Sequence, residues 1–103
     1  MKCFLYIDND KIGGFDFEVI DESMGAICCD LIPNENYKKY QVTIQQHFEL
    51  KGISNVEDFN FRITLENGFE LVPAGGIGVI DSAEFNELNV ESAGLDLSIF
   101  RNN

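Results

Sequence analysis

Residues 35–51 read Glu35-Asn36-Tyr37-Lys38-Lys39-Tyr40-Gln41-Val42-Thr43-Ile44-Gln45-Gln46-His47-Phe48-Glu49-Leu50-Lys51. Counted with period two, Tyr40, Val42, Ile44, Phe48 and Leu50 align on one face, interrupted only by Gln46. Counted with helical period, Tyr37, Tyr40, Ile44 and Phe48 form the stripe, and Val42 and Leu50 fall off it. The two ends favour the helix. Asn34 or Asn36 can cap its start, and Leu50-Lys51-Gly52-Ile53 has the form of a Schellman ending. A run of about 16 residues is also long for a strand. The expectation is an α+β fold: a mainly antiparallel sheet of about five or six strands with one long helix packed on a face. An all-β sandwich is the alternative if 38–50 is a strand.

The most secure strand signal follows the helix. Phe61, Ile63 and Leu65 alternate with Arg62, Thr64 and Glu66. Asn67-Gly68 then precedes Phe69, Glu70 and Leu71. Asn-Gly between alternating runs predicts a hairpin with a type I′ turn, since both residues accept positive φ. Its inner face would be Phe61, Ile63, Leu65, Phe69 and Leu71, and its outer face would carry acids.

Before the helix, residues 2–8 read as a strand with apolar residues on both faces. Asp8-Asn9-Asp10-Lys11 is a turn, and Gly13-Gly14 reads as a second bend. Residues 15–32 form a hairpin around Asp21-Glu22-Ser23-Met24-Gly25, with an acidic outer face at Asp16 and Glu18. After residue 72, Pro73-Ala74-Gly75-Gly76-Ile77-Gly78 is a mobile or tightly bent connector without the Gly-Lys-Ser/Thr of a phosphate loop. Val79-Ile80 reads as a short strand, and Asp81 with Glu84 as a capping box opening a helical turn to about Leu88. A last strand is expected from Asn89 to Phe100, with Leu95, Leu97 and Ile99 alternating with Asp96, Ser98 and Phe100.

Composition limits what such a chain can do. With 103 residues, 45% hydrophobic and nine Phe, it has enough for one domain with a real core. No apolar run approaches the roughly 20 residues of a membrane span. The start Met1-Lys2-Cys3-Phe4-Leu5-Tyr6-Ile7-Asp8 lacks the pattern of a signal peptide. Three cysteines, two of them adjacent, do not make a disulfide framework. A cytoplasmic location is therefore expected.

The formal net charge is −11, from 18 acids and 7 bases. This argues against nucleic acid and anionic membranes as partners, since both attract Lys and Arg, and favours a basic protein. The charge is also segregated. Asp8–Glu35 holds eight acids and one base, and residues 63–100 hold seven acids and no base.

Catalytic and metal motifs are absent from the reading. Asp8, Asp10 and Gly13 begin like a calcium loop, but Ile12 and Val19 occupy positions that need oxygen ligands. His47 is the only histidine and has no ligand set around it in sequence. Cys28 and Cys29 lack the neighbouring positive charge that activates a thiolate. The expectation is no enzyme, no cofactor and no metal. A deep polar pocket holding His47 or a cysteine would speak for a small enzyme or ligand-binding domain instead.

As a whole, the chain resembles the small acidic cytoplasmic immunity proteins of bacterial contact-dependent inhibition and polymorphic toxin systems. The features that carry the resemblance are the leaderless Met1 start, the −11 charge, the acidic strand faces and the lack of catalytic constellations. It implies a protein that binds and neutralises one basic toxin domain, such as a nuclease. The alternative is an acidic interaction module or a phage nucleic-acid mimic. From the charge pattern, the candidate partner-binding residues are Asp16, Glu18, Glu66, Glu70, Glu84, Glu87, Glu91 and Asp96. Tyr37, Tyr40 and exposed Phe residues are candidate anchors. Oligomeric state is not readable from the sequence.

Overall fold

The computed structural model describes residues 1–97. In chain order the elements are β1 (Lys2–Ile7), β2 (Asp10–Asp16), β3 (Val19–Asp21), β4 (Ala26–Asp30), β5 (Ile32–Pro33), a 3-10 segment (Glu35–Lys39), α1 (Gln41–Lys51), β6 (Ser54–Asn55), β7 (Phe61–Leu65), β8 (Glu70–Leu71), β9 (Ile77–Ser82) and β10 (Glu87–Ser92). The fold is α+β with antiparallel pairing throughout. The strands divide between two five-stranded sheets. Sheet A runs β5-β2-β1-β7-β8 and sheet B runs β3-β4-β10-β9-β6.

Both sheets contribute to one core. Cys3, Leu5, Ile7, Phe15 and Ile63 come from sheet A, and Ile27, Cys29, Val79 and Val90 from sheet B, all buried. The chain crosses between sheets at Phe17-Glu18, where the Phe17 amide is held by the Met1 carbonyl at 2.8 Å. Residues expected to form one strand, 15–20, are therefore split between β2 and β3. Gly13 and Gly14 are not a bend. They lie inside β2, where a Cβ on Gly13 would sit 2.6 Å from the Ile32 carbonyl oxygen and one on Gly14 3.1 Å from Lys2 Cε and 3.3 Å from the Cys3 carbonyl oxygen. Glycine there lets β5 and β1 approach the backbone.

Residues 35–51 are helical, in two pieces. Asn34 caps the 3-10 segment by accepting from the Asn36 amide at 2.8 Å. The α-helix then runs Gln41–Lys51 and ends at Gly52, whose amide bonds the Phe48 carbonyl at 2.8 Å. Tyr37 and Ile44 are buried, Tyr40 and Phe48 half-buried, and Val42 and Leu50 exposed, as the helical stripe requires. The helix lies against β9 and β6. Its contacts Asp81 and Ser54 share the inner face of sheet B with Val79 and Val90.

Two local predictions fail. The β7–β8 hairpin exists, but Asn67 is not at positive φ, and Gly68 alone is, at 89°. The Gly68 amide bonds the Leu65 carbonyl at 3.0 Å, the Leu65 amide bonds the Phe69 carbonyl at 2.9 Å, and the Asn67 side chain takes the Phe69 amide. This is a type I turn followed by a left-handed glycine, not type I′. It turns Phe69 out to solvent, while Phe61, Ile63 and Leu71 stay buried.

The capping box at Asp81–Glu84 does not form either. Residues 77–92 are the hairpin β9–β10, with a turn over residues 83–86 and Asn86 at φ 53°. Asp81 is buried instead, accepting from the Tyr37 hydroxyl at 2.7 Å and the Gln45 amide at 3.2 Å. Those partners lie far away in sequence, and they outweigh the local cap. The closing strand ends at Ser92. Ser98, Ile99 and Phe100, expected to continue it, lie outside the described residues.

Candidate partner-binding face

Alternation along β4 sends Ile27 and Cys29 into the core and Ala26, Cys28 and Asp30 outward. Along β10, Val90 and Ser92 point in, and Glu87, Asn89 and Glu91 point out. The register places Cys28 opposite Glu91 and Asp30 opposite Asn89. The Cys28 thiol lies 3.9 Å from Glu91 Oε2. The Asn89 amide, oriented so that its nitrogen meets acceptors, donates to Asp30 Oδ1 at 2.9 Å. Glu18 joins this group from the link before β3, its carbonyl accepting from the Cys29 thiol.

The Cys28 thiol senses the whole arrangement. Partial burial first, then the charges of Glu91, Asp30, Glu18 and Glu87, push its pKa above 9.0. A thiol in this field is held protonated, the opposite of an activated nucleophile.

The bases lie elsewhere. Among the described residues, Lys2, Lys11 and Arg62 stand on sheet A, Lys38 and Lys39 on the 3-10 segment, and Lys51 at the end of α1. On the outer face of sheet A, the Lys11 ammonium lies 4.1 Å from the centre of the Phe4 ring and the Arg62 guanidinium 5.7 Å from that of Tyr6. Lys39 pairs with Asp10 at 2.7 Å and Lys51 with Asp58 at 2.8 Å. The outer face of sheet A is therefore mixed in charge, and that of sheet B is acidic.

The eight acids singled out by the sequence do not converge on one patch. Glu18, Glu87 and Glu91 come together on sheet B. Asp16 stands opposite Lys2 on sheet A. Glu70 holds Arg62 through two bonds, at 2.9 and 3.2 Å, so its charge is compensated. Glu66 is in the β7–β8 turn, Glu84 in the β9–β10 turn and Asp96 after β10, all exposed. The sequence reading missed Asp30, and the signal was available: it follows Ala26 and Cys28 at period two. Tyr37 is no surface anchor, because it is buried against Asp81. Tyr40 is half-buried and donates to Asp10 at 2.7 Å.

No family model, no curated protein and no solved structure matches this chain.

A Ser, a His and an Asp do meet at the end of α1. His47 Nδ1 is 2.9 Å from Ser54 Oγ and 3.7 Å from Asp58 Oδ2. Both partners face the same ring nitrogen, whereas a Ser-His-Asp triad uses one nitrogen for each. Ser54 is also fully buried, so the group ties β6 to the helix. Five surface depressions of about 360–480 Å³ are lined by neither His47 nor a cysteine. Among the described residues, no three His, Cys, Asp or Glu side chains are arranged to hold a metal ion, and no helix is long and apolar enough to cross a membrane. The edge strands β3, β5, β6 and β8 are only two or three residues long, which offers little ladder for an added strand.

Proposed function

We propose that this protein is an inhibitor of the immunity type, which binds a basic toxin domain through the outer face of sheet B. One observation carries the proposal: Glu18, Asp30, Glu87 and Glu91 gather around Cys28, and the described bases stand on other elements. Like charges held together in a fold repel one another, and a cationic partner removes that cost on binding. Nucleases that cleave phosphate esters carry basic clefts, because phosphate affinity comes from Lys and Arg. An acidic face steers such a cleft into fast encounter and competes with its substrate.

Co-expression with the product of the neighbouring open reading frame tests the proposal. A basic protein should co-purify at low salt, and the complex should weaken as salt rises. Asp30→Lys with Glu87→Lys should abolish capture, while Glu66→Lys, on the far turn, should not. If no basic protein co-purifies, or if the sheet B reversals leave affinity and its salt dependence unchanged, the inhibitor proposal falls. Capture of a cationic protein that is not toxic when expressed alone would favour the plain acidic interaction module.

A further inference from the structure

Beside the acidic quartet, the outer face of sheet B carries a groove of about 480 Å³. Its floor is made of small residues. Ala26, Ala93 and Gly78 lie along the sheet, and Gly75 and Gly76 come from the connector before β9. Two exposed β-branched residues, Ile20 at 64% and Val56 at 53%, stand at its sides, with Ile53 packed over Gly78. Two carboxylates, Glu57 and Glu91, also line it, together with Asn55 and Ser92 and the apolar Ile27 and Ile77.

The groove is tied open by backbone. Gly75 bonds the Ala93 carbonyl at 2.9 Å, Ala74 bonds that of Gly94 at 3.1 Å, and Gly94 bonds that of Met24 at 2.8 Å. The glycine-rich connector thus has a structural task that no phosphate loop explains. Little ordering is left to be done when a side chain enters.

We infer that this groove receives an arginine side chain of the basic partner. Apolar walls over a floor of small residues suit a flat, weakly hydrated group with an aliphatic stem. The acids in the lining select a cation, and the two oxygens of each can take the guanidinium fork. Glu91 belongs to both the groove and the acidic quartet, so the arginine would sit at the edge of the area that steers the partner. The inference rests on the proposed binding face and adds its anchor.

The test uses the isotope-labelled full chain and two capped peptides, Lys-Gly-Arg-Gly-Lys and the same peptide with citrulline, a neutral isostere, in place of arginine. Amide chemical shifts are followed by NMR at low salt. The arginine peptide should shift Gly76, Gly78 and Glu91 together with the Asp30 and Glu87 region. The citrulline peptide should shift only the latter. Val56→Ser and Ile20→Ser, both at exposed positions, should each weaken the arginine-dependent binding by about fivefold through lost stem contact. Equal groove shifts with both peptides, or serine variants that bind the arginine peptide as well as the parent does, would overturn the anchor. Shifts confined to the Asp30 and Glu87 region would remove the anchor and leave the binding face standing. No shifts with either peptide would remove both.

Discussion

Replacing Tyr37 by Phe should cost far more stability than replacing Tyr40 by Phe, although both hydroxyls donate to an aspartate at 2.7 Å. The difference lies in what surrounds each acceptor. Tyr37 is 1% exposed and Asp81 5% exposed. Without the Tyr37 hydroxyl, Asp81 keeps the Gln45 amide, at 3.2 Å, and has no ion pair among the described residues. A hydrogen bond to a charged group contributes about 1.5–3 kcal/mol, so about 2 kcal/mol should be lost. For a domain of this size, that lowers Tm by about 8 °C. Asp10, by contrast, keeps Lys39 at 2.7 Å in an open site, so Tyr40→Phe should leave Tm almost unchanged.

Urea and thermal unfolding followed by circular dichroism measure both variants. The alkaline limb gives a second readout. Burial first, then the bond to Asp81 and its charge, push the Tyr37 phenol well above its usual 10.0. The folded chain therefore holds a proton that the unfolded chain releases. This contribution is complete below pH 10.0 and is lost as pH rises above it, and Tyr37→Phe removes it. Equal losses in the two variants, or an unchanged alkaline limb in Tyr37→Phe, would refute the idea that Asp81 depends on Tyr37.

Three further outcomes are expected. Gly68→Ala places a Cβ at φ 89° with nothing nearby and should cost about 1 kcal/mol; Gly25→Ala, at φ 61°, also drives the Cβ into the Leu95 backbone and should cost clearly more in urea unfolding. Cys28 should alkylate more slowly than a free thiol near neutral pH, and Glu91→Gln should raise the rate about two- to fivefold by removing the nearest opposing charge, 3.9 Å from the thiol. The Lys51 ammonium, the Asn55 amide and then His47 hold Asp58 below 3.8, so its contribution is present above that pH and is lost as pH falls through the lowered value. Asp58→Asn should therefore show a smaller fall in Tm between about pH 4 and pH 2 than the parent.

Local chemistry made much of this protein legible. The helical stretch at 35–51 could be recognised because its cap at Asn34, its stop at Gly52 and its stripe through Tyr37 and Ile44 are all properties of short segments. The hairpin at 61–71 could be recognised for the same reason. The excess of acids over bases followed from composition alone. Two of the failures share one cause. Asp81 looked like a helix cap because capping is local, and the tyrosine that takes it lies 44 residues away. Gly13-Gly14 looked like a bend because nothing nearby in sequence shows that β5 and β1 will press against them.

The proposed binding face was legible only in part. Glu87 and Glu91 share a face once β10 is known to be a strand, and Asp30 joins them through antiparallel pairing with a segment about 60 residues away. Which acids remain uncompensated was a tertiary outcome as well. The pairing of β7 and β8 sets Glu70 opposite Thr64 and so within diagonal reach of Arg62, and that of β1 and β2 sets Lys2 opposite Asp16. The sequence by itself therefore determined the helix, the strand alternation and the excess of negative charge, since propensity, period and composition belong to the chain. Only the tertiary structure decided how the strands divide between two sheets and which carboxylates stand together, because both depend on contacts between residues far apart in sequence.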